Sequence, residues 1–238
     1  FIVSGLPLSF KVNHVIEPQS EEKLFPDATE ALIREIYSLA NERDIDRFLD
    51  CGDDDFSFSL PGVSRFRVST YKQRSSLAAV IRVVTFDLPD PEKLGLPSVM
   101  MDLALRKKGM VLVTGPAGSG KSTSLACMID RINQTRNSHI ITLEDPIEFL
   151  HRHKKSIVSQ REIPNDTQSY VTALRAALRQ SPDVILLGEM RDYETINTAL
   201  TAAETGHLVF STLHTVGASS TIDRIIDAFP PNQQAQIR

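Results

Sequence analysis

Residues 115–123 read Gly-Pro-Ala-Gly-Ser-Gly-Lys-Ser-Thr, a glycine-rich run that ends in a lysine and two hydroxyl side chains. The spacing matches G-x-x-x-x-G-K-[ST], a loop that holds phosphate groups in many nucleotide-binding proteins. Glycines allow such a loop to fold into a concave nest whose backbone N–H groups point inward. The predicted phosphate-binding residues are Gly115, Pro116, Ala117, Gly118, Ser119, Gly120, Lys121, Ser122 and Thr123.

The sequence on either side of this loop fits a phosphate site. An apolar run at 110–114 predicts a strand before the loop, and apolar residues at helical spacing predict a helix at 121–134 after it. The phosphates would therefore lie at a helix N-terminus, which carries roughly half a positive charge. Lys121 can reach the β- and γ-phosphates of a nucleotide, and the Ser122 hydroxyl can bind Mg²⁺. A glycine-rich turn without a ligand is the alternative interpretation.

Composition and charge limit the classes to which the chain can belong. Of its 238 residues, 41% are hydrophobic and 24% charged, values that are typical of a soluble globular protein. Thirty acidic residues against 26 basic ones give a net charge of -4, so we do not expect a nucleic-acid partner. The two cysteines, Cys51 and Cys127, are too few for a disulfide framework or a cysteine zinc site, which favours a cytoplasmic location.

The sequence pattern changes at a proline-rich segment. Residues 1–88 combine an amphipathic helix with alternating strands, which predicts a small α+β domain with an antiparallel sheet. Residues 89–97 contain three prolines and a glycine, which predicts a semi-rigid linker. Residues 98–238 form the second predicted domain. The elements expected in the first domain are a helix at 28–39 and strands at 56–60, 65–71 and 77–84.

In the second predicted domain, strands alternate with helices along the chain. The strands are almost continuously apolar, which implies a parallel sheet covered on both faces and hence an α/β fold. Ligands of such sheets bind at the carboxyl ends of the strands, so the residues that follow each strand are the candidates for a site. The predicted strands are 110–114, 139–143, 184–187 and 207–212, and the predicted helices are 121–134, 167–180, 193–203 and 217–227.

Carboxylates follow two of these strands. Glu144, Asp145 and Glu148 come after the second predicted strand, where three negative charges beside phosphates are costly unless Mg²⁺ or a water to be activated lies between them. A solvated acidic turn is the alternative. Glu189 follows the third strand, where an acid commonly holds the Mg²⁺ shell or orients water, although Gly188 occupies the position directly after the strand.

Two histidines flank the fourth predicted strand, with His207 before it and His214 beyond it. For both residues, an active role and a purely structural role stay open on the pattern alone. We do not expect a zinc site, because no cysteine accompanies these two histidines or His151 and His153, and their spacing fits no common zinc template.

Arginines interrupt two strands of the first predicted domain. Arg65 and Arg67 share one face of the strand at 65–71, and Arg82 lies among valines and isoleucines in the strand at 77–84. Solvated strand arginines are one interpretation of this pattern. The other is that Arg67 and Arg82 reach the phosphates from outside the domain that binds the nucleotide, as arginine fingers do.

Four sequence boxes, taken together, resemble the signature of the secretion ATPase superfamily. Within it, Gln160-Arg-Glu-Ile163 and Ala202–His207 are most similar to the type IV pilus retraction ATPases, the PilT family. The similarity reaches nearly the whole chain, since Pro61–Val68 resembles the N-terminal domain of that family. The four boxes are Gly115–Thr123, Thr142–Phe149, Gly188–Asp192 and Thr201–Thr215.

The resemblance implies a RecA-like P-loop domain with a mostly parallel sheet, preceded by a small PAS-like α+β domain. It also implies a cytoplasmic homo-hexamer that hydrolyses ATP with Mg²⁺ and powers type IV pilus retraction and twitching motility. The expected partners are an inner-membrane platform protein and the pilus machinery, which would hold the ring at the cytoplasmic face of the inner membrane. Family members continue into a mostly helical C-terminal region that is largely absent from these 238 residues, so ring assembly by this chain alone stays open.

The resemblance also implies roles for the acidic loop. Lys121 and Ser122 would bind phosphate and Mg²⁺. Glu148 would be the carboxylate that activates water, and Glu144 and Asp145 would support it.

Residues outside that loop receive implied roles as well. Glu189 would organise the Mg²⁺ ion, while His207 and His214 would sense the γ-phosphate or the subunit interface. Arg67 and Arg82 would approach the nucleotide from the N-terminal domain.

Three alternatives stay open at this stage. A related type II or type IV secretion or pilus-assembly ATPase shares the boxes. The pilus-assembly and type II secretion members usually carry a four-cysteine zinc element for which this chain lacks the cysteines, so a secretion-system ATPase of the retraction-like subtype is the main alternative. A RecA-like nucleic-acid motor shares the fold, but should show a basic channel. A switch protein that binds ATP and turns it over very slowly is disfavoured by the complete set of acids.

Overall fold

The chain divides between Thr85 and Phe86 into two units, and the computed structural model describes residues 1–237. In the first unit, three antiparallel strands form a sheet in chain order, and two further strands form a separate hairpin. The elements of this unit are β1 (Pro7–Val12), β2 (Val15–Lys23), α1 (Pro26–Leu39), α2 (Asp46–Cys51), β3 (Asp53–Leu60), β4 (Ser64–Gln73) and β5 (Ser76–Val84).

The core of the first unit lies between α1 and the sheet β3-β4-β5. Ile33 and Tyr37, one helical turn apart on α1, are buried together with Phe48 of α2 and Phe56 of β3. The Tyr37 ring stacks on Phe48 and meets Phe56 edge-on, with ring centroids 5.9 and 4.8 Å away. The predicted antiparallel α+β architecture is therefore the one that forms.

The β1–β2 hairpin was not anticipated from the sequence. Asn13 and His14 form its two-residue turn, and both have positive φ angles, of 49° and 67°. This conformation usually selects Asn-Gly or Gly-Gly pairs, so the His14 position gives no clear turn signal. Every residue of β2 is exposed, and an exposed strand leaves no alternation of apolar and polar residues to recognise.

The second unit contains one sheet of five parallel strands in the order β6-β10-β9-β7-β8. Its elements are α3 (Ser98–Leu103), β6 (Gly109–Thr114), α4 (Lys121–Thr135), β7 (His139–Glu144), β8 (Ile157–Glu162), α5 (Tyr170–Ala177), β9 (Val184–Leu187), α6 (Tyr193–Glu204), β10 (Leu208–Leu213), α7 (Ala218–Asp227) and α8 (Pro231–Ile237).

Helices cover both faces of this sheet. Met128 and Ile132 of α4 are buried in one apolar cluster with Phe210 of β10. Leu174 of α5 and Ile196 of α6 belong to a second cluster, which covers the opposite face. The structure thus confirms the predicted α/β class with a parallel sheet.

The edge strand β8 is an element that the sequence pattern did not predict. Its residues include Ser159, Gln160, Arg161 and Glu162, which have the polarity of a loop rather than of a parallel strand. An edge strand pairs with one neighbour only, here β7, and so tolerates polar side chains better than a central strand does.

The strand order determines which loops become neighbours. The loops that follow β6, β10, β9 and β7 lie side by side at the carboxyl edge of the sheet, because these strands are parallel and adjacent in that order. This edge therefore brings the glycine-rich loop beside the segments that carry His214, Glu189 and the acidic residues after β7.

Candidate functional site

The glycine-rich loop after β6 has the backbone shape that its sequence predicts. Gly115, Gly118 and Gly120 have φ angles of +150°, +75° and +88°, a region that side chains with a Cβ atom avoid. A Cβ at Gly115 would also lie 2.7 Å from the Ser119 Oγ, so a side chain here would require Ser119 to move. Gly120 precedes the first turn of α4, which points the free N–H groups of the helix at the loop.

The ammonium group of Lys121 lies inside the curve of this loop. Its Nζ donates hydrogen bonds of 2.9 Å to the carbonyl oxygens of Gly115 and Pro116. These partners hold the cation over the space that the loop encloses. A triphosphate would give the same cation stronger, charge-assisted partners.

A cleft of about 240 Å³ opens beside the loop, at the carboxyl edge of the sheet. It is lined by residues that come from the loops after β6, β7, β9 and β10, together with the first two turns of α4. Eight of the residues that the sequence marked as site candidates are brought together here. They are Gly118, Lys121, Ser122, Glu144, Asp145, Glu148, Glu189 and His214.

The carboxyl group of Glu144 is the most enclosed acid of the cleft. Burial raises its pKa to about 7, although hydrogen bonds from Thr142 and Gln160 favour the charged form. Thr142 Oγ1 donates to Glu144 Oε1 at 2.6 Å, and Gln160 Nε2 donates to the same oxygen at 3.3 Å. Near neutral pH, Glu144 is therefore divided between its protonated and charged forms.

Asp145 and Glu148 are exposed at the rim of the cleft, one and four residues beyond the end of β7. Their carboxylates are open to water, unlike that of Glu144. The acidic loop therefore contains one enclosed carboxyl group and two carboxylates that a ligand in the cleft can reach.

Glu189 takes part in a small charge network. Its carboxylate forms an ion pair with the exposed guanidinium of Arg191, and its Oε2 lies 3.6 Å from the Nε2 of His214. The side chain of Glu189 is only 13% exposed, whereas those of its two partners lie largely in solvent. The acid after β9 is thus held in place from the solvent side by two basic residues.

The first residue after β9 is Gly188 rather than an acid, and its surroundings explain why. A Cβ at this position would lie 2.7 Å from the Tyr170 hydroxyl and 3.4 Å from the Leu143 carbonyl oxygen. The Gly188 carbonyl accepts a 2.6 Å hydrogen bond from Thr212 Oγ1, which ties β9 to β10. Tyr170, whose hydroxyl fills the space that a side chain would need, has its pKa raised by burial and then by the charge of Asp145.

Mg²⁺ is implied by the loop motif, and the donor set of the cleft fits it. The Ser122 hydroxyl and the carboxylates of Glu189, Asp145 and Glu148 are hard oxygen donors, which Mg²⁺ prefers. Within residues 1–237, no group of three or more His, Cys, Asp or Glu side chains is arranged as a complete metal cage. In proteins, Mg²⁺ usually takes one or two carboxylate ligands and fills its shell with phosphate oxygens and water.

His207 is not among the residues that line the cleft. This residue precedes β10, so it lies at the amino edge of the sheet, whereas the glycine-rich loop follows the carboxyl end of β6. Its Nδ1 is 3.0 Å from the Ala202 carbonyl oxygen, a local contact with the end of α6. At about 3.3 Å per residue, the length of β10 separates His207 from a γ-phosphate in the cleft of the same chain. Its role in sensing the γ-phosphate or the subunit interface stays a prediction.

Arg67 and Arg82 belong to the first unit. They occupy directly opposite positions on β4 and β5, so their side chains lie next to each other on one face of the sheet. Arg67 is half-buried and Arg82 is exposed. Their role toward a nucleotide stays a prediction.

Several residues of the site were not identified from the sequence. Gln160, Tyr170 and Thr212 support the carboxylates and the strand ends, and His151 lines the cleft. The Nδ1 of His151 is buried without a hydrogen-bond partner among residues 1–237, and burial lowers the pKa of this imidazole to about 4. Two of them lie in segments that carried a signal: Gln160 begins the segment most similar to the retraction ATPases, and Thr212 lies within the box Thr201–Thr215.

No helix within residues 1–237 combines the length and the apolar character needed to cross a bilayer.

The chain is similar to several known proteins. The family described as type II/IV secretion system protein matches residues 4–231. The type IV pilus retraction ATPase PilT of Pseudomonas aeruginosa is 48% identical over 99% of this chain and 67% of its own length. A twitching motility protein of Neisseria gonorrhoeae is 56% identical over 77% of this chain and 49% of its own length.

A solved structure is also similar. The crystal structure of the pilus retraction motor PilT with bound ADP matches 99% of this chain and 68% of its own chain, with a TM-score of 0.89 and 52% identity. The chain thus spans about half to two thirds of the length of the relatives it matches.

Proposed function

Because this chain belongs to the type II/IV secretion system protein family, we propose that it hydrolyses ATP to power the retraction of type IV pili. Its similarity to two proteins named for pilus retraction and twitching motility confirms the family resemblance of the four sequence boxes. The observation that carries the proposal is the cleft in which Lys121 faces carboxylates from two neighbouring strand ends. This is the arrangement that phosphoryl transfer requires.

ATP and Mg²⁺ are the proposed ligands. The free backbone N–H groups of the glycine-rich loop and the Lys121 ammonium bind the β- and γ-phosphates, and the free N–H groups of α4 extend the same positive field. Ser122 and Glu189 hold the metal ion, which neutralises charge on the phosphates when it is bound. A solved relative that contains ADP supports the nucleotide part of this proposal.

Glu148 is the residue that we assign to the activation of water. The carboxyl group of Glu144 is engaged by Thr142 and Gln160, and that of Glu189 is paired with Arg191. The exposed carboxylate of Glu148 can accept a proton from a water in the cleft. Asp145, at the same rim, adds negative charge that keeps the water near the acids.

The ring and its partners complete the proposal. Six copies form the motor, and Arg67 and Arg82 of one copy reach toward the phosphates of the next, where positive charge stabilises the transition state. Similarity to a retraction motor supports this assembly. The motor works at the cytoplasmic face of the inner membrane, on a platform protein and the rest of the pilus machinery.

ATP hydrolysis by the purified protein tests the proposal. We expect Mg²⁺-dependent release of phosphate that Lys121→Ala abolishes, because this change removes the cation that contacts the β- and γ-phosphates. Lys108→Ala is the matched control, since Lys108 is an exposed lysine that precedes β6. In cells that lack their own retraction ATPase, the unaltered protein should restore twitching and Lys121→Ala should not. Absence of hydrolysis, or hydrolysis that survives Lys121→Ala, would contradict the proposal.

A further inference from the structure

The connection between β7 and β8 is a loop of twelve residues, 145–156, with no helix or strand. It carries Asp145 and Glu148 to the cleft. Polar backbone groups in such a segment need partners other than those of regular secondary structure. The positions of these hydrogen-bond partners determine how firmly the loop holds Glu148.

Side chains of β8 supply these partners at three alternate positions of the loop, 147, 149 and 151. Glu162 Oε2 accepts a 3.0 Å hydrogen bond from the Ile147 N–H. Gln160 Nε2 donates to the Phe149 carbonyl oxygen at 2.9 Å, and Gln160 Oε1 accepts from the His151 N–H at 2.7 Å. Gln160 and Glu162 are two residues apart and therefore share one face of β8. We call this pair the β8 clamp.

Both members of the β8 clamp are fixed by further contacts. Glu162 is 1% exposed, and its Oε1 accepts a 2.6 Å hydrogen bond from Asn165 Nδ2. Gln160 also donates to Glu144, which joins the clamp to the enclosed acid of the cleft. A buried carboxylate is costly unless its oxygens are hydrogen-bonded, so the contact between Glu162 and the Ile147 N–H stabilises both groups.

The far end of the loop is anchored to α4. Asn133, which is fully buried, donates through Nδ2 to the Arg152 carbonyl oxygen at 2.7 Å. Its Oδ1 accepts from the Lys154 N–H at 3.1 Å. The β8 clamp therefore controls the part of the loop nearest to Glu148, and Asn133 controls the part beyond it.

From this geometry we infer that Gln160 and Glu162 are positioning residues for Glu148, an inference that rests on the proposed function. Glu148 lies between Ile147 and Phe149, whose backbone groups are each bonded to the β8 clamp. The Glu148 side chain itself is exposed, so the backbone on either side sets its position. A base must lie within about 3 Å of the proton it removes, and a shift of about 1 Å can lower the rate roughly 100-fold.

The test replaces Gln160 and measures two independent properties. Gln160→Met keeps the side-chain volume and removes the hydrogen bonds to Phe149, His151 and Glu144. We expect kcat for MgATP to fall about 10- to 100-fold with KM changed by less than about 3-fold, because the phosphate loop is untouched. In the nucleotide-free protein, hydrogen exchange at the His151 amide should be faster by at least about 10-fold.

Two controls make the result specific. Gln168→Met makes the same change at an exposed position outside the cleft, and should leave both properties as in the wild type. Gln160→Met in a Glu148→Gln background should cause no further loss of activity. Residue 148 no longer acts as a base in that background, so its displacement no longer changes the rate.

Unchanged kcat together with unchanged exchange at His151 would overturn the inference, and so would losses that multiply in the double variant. An inactive wild-type protein would defeat the proposed function instead, while the exchange measurement would still report on the β8 clamp.

Discussion

The imidazole Nε2 of His214 lies 3.6 Å from the carboxylate Oε2 of Glu189, although the two residues follow different strands of the sheet. The adjacency of β9 and β10 creates this contact, since their ends are neighbours at the carboxyl edge. His214 lines the cleft as well, so it connects the acid after β9 with the space in which the phosphates are proposed to bind.

We predict that His214→Asn lowers kcat by roughly 10- to 100-fold while MgATP still binds. The change removes a group that orients Glu189, and preorganised polar groups of this kind commonly contribute about that much to a rate. Steady-state hydrolysis at saturating MgATP measures it. His14→Asn, at an exposed turn of the first unit, is the matched control. Equal activities of His214→Asn and the wild type would exclude this role.

Because the pKa of Glu144 is raised in the fold, we expect the free energy of unfolding to depend on pH. Its pKa is about 7 in the fold against an ordinary value of 4.5, so between these values the folded protein retains a proton that the unfolded chain has lost. The contribution of Glu144 to the free energy of unfolding is therefore largest below about pH 4.5 and falls as the pH rises to about 7, by up to about 3 kcal/mol.

The variant Glu144→Gln isolates the contribution of the Glu144 proton to stability, because glutamine does not titrate between pH 4.5 and 7. The stability of the wild type relative to Glu144→Gln should fall as the pH rises from 5 to 7, as measured by urea unfolding followed by circular dichroism. The comparison is needed because His151 acts with the opposite sign. Its pKa is about 4 against an ordinary 6.5, so its contribution grows as the pH rises through that window. A difference between the two proteins that does not change with pH would contradict the assignment.

For Arg67 and Arg82, we predict that substitutions affect stability and activity differently. Like charges at opposite positions of neighbouring strands are unfavourable by a few tenths of a kcal/mol to about 1 kcal/mol. Arg82→Gln should therefore leave the free energy of unfolding unchanged or raise it slightly. If these residues act across a subunit interface, Arg67→Ala and Arg82→Gln should each lower hydrolysis by as much as about 10³-fold in the assembled ring.

The effect of the Arg67 and Arg82 substitutions on hydrolysis should depend on whether the protein is assembled into a ring. The monomer and the ring, separated by size-exclusion chromatography, should differ in their response to the two changes. Arg34→Ala, on the surface of α1, serves as the control in both states. Equal losses in monomer and ring would remove the proposed role between subunits.

Local patterns predicted the glycine-rich loop and the parallel sheet on which the candidate site lies. The glycine spacing of 115–120 and the apolar strands predicted a loop, a helix and a parallel sheet, and these determine where Lys121, Glu148, Glu189 and His214 meet. Such features depend on periods of two to four residues and on the rule that ligands bind at strand ends, both of which one sequence contains.

Features that depend on partners far along the chain could not be predicted in the same way. Gln160 gave no strand signal, because its side chain faces a loop rather than an apolar layer. The need for Gly188 arises from the Tyr170 hydroxyl, eighteen positions earlier in the sequence. The pattern around His207 also does not reveal that the direction of β10 puts this residue at the amino edge of the sheet.

Calorimetry of MgATP binding, combined with hydrolysis by the same preparation of Glu148→Gln, tests the central claim most directly. The account predicts that this variant binds MgATP with wild-type affinity, because Lys121 and the phosphate loop are unchanged, and hydrolyses it about 10²- to 10⁴-fold more slowly. Normal turnover by Glu148→Gln, or no uptake of MgATP by the wild-type protein, would contradict it.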